Sequence, residues 1–208
     1  MEFIPAKESR FIIWFFYWYT RLLLKLRFRS VSISQKYTPS KESSTVYFIN
    51  HNYWWDGLLP LYLNNKLFKQ KARALMEDKQ MKEYPFFSRI GAFSINLNDP
   101  KSSISSLRYA VKSLQRPHSC LFIYPEGELV PPSNDNPTFK PGLSWMYKKT
   151  KGIDFVPIVF RIDHSKASKP DLFISIGEKV NFDKNMDSNE LTILFEKEIM
   201  LLINQETE

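Results

Sequence analysis

With 208 residues, 15% of them aromatic, the chain suits one globular domain with a real core and not a disordered segment. The net charge of +7 suits an anionic partner such as acidic lipid headgroups, but the basic residues form no compact cluster and the aromatics sit in apolar runs, which argues against nucleic acid. The single cysteine, Cys120, excludes an intramolecular disulfide framework and fits a reducing compartment; with three scattered histidines it offers no zinc-ligand spacing, so no metal is expected.

The first element is apolar. Phe11 to Tyr19 is an unbroken apolar and aromatic run, Thr20 and Arg21 interrupt it, and Leu22 to Leu24 resume it before Lys25, Arg27 and Arg29. A membrane-spanning helix needs about 20 apolar residues, and this stretch is shorter. The basic residues follow the run instead of preceding it, unlike a secretory signal. Trp14, Tyr17, Trp18 and Tyr19 favour the headgroup boundary, and the flanking cations suit anionic lipid. Residues 8–29 are therefore predicted as a helix lying in or dipping into one leaflet, with burial in a core as the competing reading. Residues 1–30 form the membrane-associating segment, and residues 31–208 a single domain. The expected location is peripheral or monotopic, on the cytoplasmic face of a membrane.

Ser44 to Asn50 is β-rich and ends at His51. Asp56 to Leu63 reads as helical, and the charged stretch Lys69 to Glu83 as helical in part. Ile90 to Leu97 reads as a short strand. Ile104, Leu107, Val111 and Leu114 recur at helical spacing, with Ser102 or Ser103 as the cap. Cys120 to Tyr124 is an apolar strand stopped by Pro125. Residues 130–138, with three prolines, form a loop. Gly142 to Lys149 is predicted helical, Phe155–Phe160 and Leu172–Ile176 are predicted strands, and Asn189 to Asn204 closes the chain as an amphipathic helix. Alternating strands and helices predict an α/β domain: a mixed, largely parallel central sheet flanked by helices.

The chemistry gathers where strands end. His51 and Asp56 follow the first strong strand. A carboxylate on one imidazole nitrogen fixes the tautomer and leaves the other nitrogen as a base. Tyr124-Pro125-Glu126-Gly127-Glu128 follows the second: Glu126 can accept hydrogen bonds, and Gly127 lets backbone approach a ligand. Phe139-Lys140-Pro141-Gly142 puts a lysine beside a helix start. Pro157, inside Val156-Pro157-Ile158, argues for an edge strand, a bulge or a bend. Tyr53, Trp54 and Trp55 pack beneath the pair or line a lipid-facing mouth. His118 and His164 fall in polar surface sequence, and Cys120 in the core.

Taken in order, these blocks resemble the glycerolipid acyltransferase superfamily, the 1-acylglycerol-3-phosphate acyltransferase-like proteins. The first block is His, four residues, Asp (His51 to Asp56). The second is a glycine-led strand (Gly91 to Leu97), the third Pro-Glu-Gly (Pro125 to Leu129), and the fourth Val-Pro-Ile (Val156 to Ile158). The resemblance implies an acyltransferase with no cofactor, using acyl-CoA or acyl-carrier protein as cosubstrate. His51 would deprotonate an acceptor hydroxyl on a lipid alcohol, and Asp56 would orient it. Gly91, Glu126, Gly127, Lys140 and Pro157 would contribute to substrate binding, and amides near Gly127 to an oxyanion site.

Two positions depart from the pattern. The second block usually ends in Arg and the third in Thr-Arg; here they end in Leu97 and in Glu128-Leu129. Arginine reads phosphate through its bidentate fork. Its loss at both positions predicts an acceptor other than a glycerol phosphate, such as a glycolipid or glycosylated terpenoid. Lys140 as a substitute cation keeps a phosphate acceptor as the alternative, and an inactive lipid-binding relative is another. The absence of a Gly-x-Ser-x-Gly elbow counts against a serine lipase.

Overall fold

The computed structural model describes residues 3–131, 137–165 and 168–205. Helix α1 (Arg10–Arg27) leads into strands β1 (Ser30–Gln35) and β2 (Ser44–Ile49). A 3-10 turn (Trp54–Gly57) and α2 (Leu59–Leu63) follow, then β3 (Lys71–Glu77), α3 (Asp78–Glu83), α4 (Phe86–Arg89) and β4 (Ala92–Ile95). The chain continues through α5 (Pro100–Leu114), β5 (Ser119–Ile123), α6 (Gly142–Lys149), β6 (Ile153–Asp163), β7 (Asp171–Ile176) and α7 (Ser188–Asn204).

The seven strands form one sheet in the order β1-β7-β6-β2-β5-β3-β4. Neighbours are parallel except β6 and β7, so the sheet is mixed and largely parallel, as the alternation of elements predicted. The central strands are buried on both faces, which explains their continuous apolar runs. Period-two alternation sorts their side chains between two cores. Val46, Phe48, Leu121, Ile123, Phe155 and Val159 face the layer containing α5, α6 and α7. Tyr47, Ile49, Phe122, Val156, Ile158 and Phe160 face the layer containing α1 and α2.

Both sheet edges are blunted. Strand β1 alternates serine outward along its exposed edge. At the other edge the segment before α1 covers β4: Ser94 N–H donates to the Ile4 carbonyl at 2.9 Å, and Ile4 N–H donates to Ser94 Oγ at 2.7 Å. Glu8 joins this seam through Arg73 at 2.9 Å. Leu24 and Phe28 of the N-terminal segment enter the core, so part of that helix is structural.

Two local expectations are corrected and one is divided. Within Lys69 to Glu83 the helical part is α3; the stretch before it, Lys71 to Glu77, is a strand, because pairing with β4 and β5 on either side overrides the helix propensity of its Lys, Ala, Leu and Met. Helix α5 starts earlier than the serines: Asp99 caps it by accepting from Lys101 N–H at 3.0 Å, with Pro100 as its first residue. Pro157 lies in β6, a central strand and not an edge. The proline falls where the β6–β7 ladder ends: its carbonyl accepts from Gly177 N–H at 3.0 Å, and only the reciprocal bond is missing. Gly177 accommodates the ring, since a Cβ there would stand 2.7 Å from Pro157 Cγ. Of the predicted 130–138 loop, residues 132–136 lie outside the described residues.

Candidate active site

The site sits at the carboxyl ends of the adjacent parallel strands β2 and β5, the usual place for ligands in open α/β sheets. Strand β2 ends at Ile49, and Asn50 carries the connection onward. Its side chain imitates a peptide group toward β6: Oδ1 accepts from Phe160 N–H at 2.8 Å, and Nδ2 donates to the Phe160 carbonyl at 3.0 Å. This clamps the turn that carries His51.

His51 Nδ1 lies 3.1 Å from Asp56 Oδ2. The five-residue spacing works because the chain turns into the 3-10 segment and Asp56 reaches back. The same oxygen accepts from Asn52 N–H at 3.0 Å and from Tyr53 N–H at 2.9 Å. Asp56 is fully buried, and its Oδ1 has no partner among the described residues. Burial pushes its carboxyl above the ordinary value, while the bonds from His51 and the two backbone N–H groups oppose that rise. In the neutral tautomer whose Nδ1–H donates to the carboxylate, the ring lone pair lies at Nε2.

Two residues from the β5 side hold this pair. Glu126 is buried, and its carboxylate accepts from His51 backbone N–H at 2.6 Å. Burial raises its carboxyl too, against the pull of that bond, and the Asp56 charge adds to the rise. The Tyr124 ring packs on the imidazole, with centroids 4.4 Å apart, and its hydroxyl donates to the Asp56 carbonyl. Burial pushes this phenol well above its ordinary range, so it stays a donor. The next strand of backbone closes the far side: Val130 N–H donates to the His51 carbonyl at 2.8 Å.

His51 opens into a cavity of about 1170 Å³ lined mainly by apolar side chains from α1, β3, α3, α4, α5 and α6. Leu97 and Leu129, the two positions where the family pattern has arginine, both line it. So do Gly127, Lys140 and the carboxylates Glu77, Glu83 and Glu128. Of the predicted binding residues, Gly127 and Lys140 therefore join His51 at the cavity, while Glu126, Gly91 and Pro157 do not line it. Glu126 is turned to the protein. Gly91 is a structural glycine: its φ is +105°, and a Cβ would stand 2.7 Å from the Ala72 carbonyl oxygen. The Gly127 N–H, a candidate oxyanion donor, is taken by the Tyr124 carbonyl at 3.0 Å.

The bulky triplet divides. Trp54 is 61% exposed at the cavity, and Trp55 packs edge-on against Phe28. Cys120 is fully buried, and burial pushes its thiol up, away from reactivity. Phe15, Phe16 and Tyr19 of α1 line the same cavity. The outer face of α1 leaves Phe11, Trp14, Trp18, Leu22 and Leu26 exposed. Exposed apolar stripes of this length mark interaction surfaces. No helix of the described residues is long and apolar enough to cross a membrane.

A partly exposed imidazole paired with a buried carboxylate, at a large apolar cavity, is an arrangement suited to acyl transfer. The Acyltransferase family model matches residues 30–161, more than half of the chain, including His51, Asp56, Glu126 and Lys140, and the chain belongs to that family. The fold is similar to the crystal structure of the 1-acyl-sn-glycerophosphate (LPA) acyltransferase PlsC from Thermotoga maritima. The TM-score is 0.64 at 16% identity, covering 92% of this chain and 79% of that one. At this identity the likeness is one of fold. No curated protein sequence matches the chain.

Proposed function

We propose that this enzyme is a membrane-associated O-acyltransferase that moves a fatty acyl group from an acyl thioester, acyl-CoA or acyl-carrier protein, to an uncharged lipid hydroxyl. His51 acts as general base on that hydroxyl, and Asp56 orients the ring and stabilises the imidazolium. The observation that carries this reading is the His51–Asp56 pair, 3.1 Å apart, at an apolar cavity whose mouth is shared with α1. A monotopic placement on the cytoplasmic leaflet is supported by the exposed aromatic and aliphatic face of α1 and by exposed Arg21 and Lys25 beside it.

The choice of an uncharged acceptor rests on the cavity's charge. Among the described residues, Glu77, Glu83 and Glu128 line it against the single cation Lys140, and leucine stands at both positions where the family pattern has arginine, so the lining is net negative toward a phosphate dianion. A sugar hydroxyl on a glycolipid or on a glycosylated terpenoid fits this lining better than a glycerol phosphate. The test is thiol release from acyl-CoA with a glycolipid and lysophosphatidic acid offered side by side in bilayers. Selective turnover of the glycolipid is expected. Faster, selective turnover of lysophosphatidic acid would reverse the acceptor assignment.

A further inference from the structure

The acyl-transfer reading leaves one requirement unmet. Attack on a thioester places negative charge on the carbonyl oxygen, and a positioned donor or cation at that oxygen is commonly the largest catalytic term. The Gly127 amide is not available, because it is bonded to the Tyr124 carbonyl. What does occupy the region is Lys140.

Lys140 is placed by the same turn that carries Glu126 and Gly127. Its backbone N–H donates to the Pro125 carbonyl at 2.9 Å. Its side chain then lies across Gly127: a Cβ there would stand 2.9 Å from Lys140 Nζ and 3.0 Å from both Cδ and Cε. The missing Cβ of Gly127, whose φ is +74°, is what admits the ammonium. Among the described residues lining the cavity, Lys140 is the one Lys or Arg. Among the described ion pairs none involves it, so no carboxylate of the described residues is in direct contact with its ammonium. Glu126, next to Gly127, is bonded to the His51 backbone, so base and ammonium border the same end of one cavity.

We propose that Lys140 is a catalytic residue whose ammonium stabilises the oxyanion formed in acyl transfer. The proposal rests on the acyl-transfer reading above. The acceptor oxygen bonds to the thioester carbon as its proton passes to His51 Nε2. The carbonyl π pair moves to oxygen, beside Lys140 Nζ. When that pair returns, the C–S bond breaks, and the departing sulfur takes the proton from the imidazolium. The product is the ester and the free thiol, with no change of oxidation state. A role in gripping the donor's phosphate groups fits less well, because those groups lie many bonds from the thioester, whereas Lys140 adjoins the turn that supports His51.

The test compares wild type with Lys140→Met, Lys140→Arg and Lys140→Cys on a neutral lipid alcohol and on lysophosphatidic acid. Lys140 is exposed, so folding should survive; thermal unfolding checks this. Lys140→Met is expected to lose roughly 10²–10³-fold in kcat for every acceptor, with acceptor KM little changed. Aminoethylation of Lys140→Cys with bromoethylamine rebuilds an ammonium and should restore most of the loss; Cys120, fully buried, does not compete. A kcat within about threefold of wild type in folded Lys140→Met overturns the proposal. So does a loss confined to KM for the phosphate-bearing acceptor, which would make Lys140 an acceptor-binding cation. Either result leaves the acyltransferase reading standing if wild type transfers acyl groups and His51→Ala does not. Failure of wild type on all acceptors would instead strike that reading itself.

Discussion

Replacing Asp56 by Asn isolates the charge in the base pair. The amide keeps the size of the side chain, and its oxygen can still accept from the Asn52 and Tyr53 N–H groups. What disappears is the carboxylate 3.1 Å from His51 Nδ1. When the ring takes the acceptor's proton, two unit charges at that separation attract by about 5 kcal/mol at an effective dielectric constant of about 20. The imidazolium spreads its charge over the ring, so about 3–5 kcal/mol is the expected loss of transition-state stabilisation. This corresponds to a fall of roughly 10²–10⁴ in kcat/KM. The fold should not suffer, because burial already raises the Asp56 carboxyl and the neutral amide removes that cost. Initial rates of thiol release with the acceptor varied at saturating acyl-CoA, with thermal unfolding of both proteins, measure the two effects separately. A folded Asp56→Asn enzyme retaining kcat/KM within about tenfold of wild type would refute the reasoning.

Four further outcomes follow from particular contacts. Gly91→Ala should cost about 2 kcal/mol or more of stability in denaturant titration, since its positive φ and the Ala72 carbonyl both resist a Cβ; an unchanged midpoint would contradict the assignment. Leu97→Arg with Leu129→Arg should improve kcat/KM for lysophosphatidic acid by about tenfold or more, the worth of one charge-assisted bond, and no gain would separate these positions from acceptor charge. Trp14→Asp with Leu22→Asp should abolish sedimentation with anionic vesicles without unfolding the protein, as both side chains are exposed; undiminished binding would move the membrane face elsewhere. Glu126→Gln bears on pH. A carboxyl raised in the fold above its ordinary value of 4.5 makes the native state lose stability as pH rises from that value through the raised one. The variant should lose less over that window, and an equal or steeper loss would count against the buried Glu126.

The candidate site was more legible in the sequence than its surroundings. His51, Asp56 and the Pro125-Glu126-Gly127 turn follow apolar strands, and strand ends are where open sheets place ligands. Spacing could not show what each side chain touches. Glu126 reads as a ligand acceptor, yet its oxygen is 2.6 Å from His51 N–H. Asn50 and Tyr124 escaped notice because their hydrogen bonds run to distant or backbone partners at Phe160 and Asp56. The available signals were a polar residue ending a fully buried strand and a tyrosine beside the proline. Strand β3 could not be separated from α3 in the charged stretch Lys69 to Glu83, because its identity comes from flanking strands and not from local propensity. The N-terminal helix was read for its apolar run, which concealed its division: Thr20 and Leu24 face inward, while Trp14 and Leu22 face out.

The central claim is that His51 activates the acceptor hydroxyl. Its most direct measurement is ester formation and thiol release from acyl-CoA by wild type and His51→Ala, in bilayers containing the preferred lipid alcohol. The account expects transfer by wild type, and its near-complete loss in a His51→Ala protein that still folds and still binds vesicles. Transfer at an unchanged rate in that variant would contradict it.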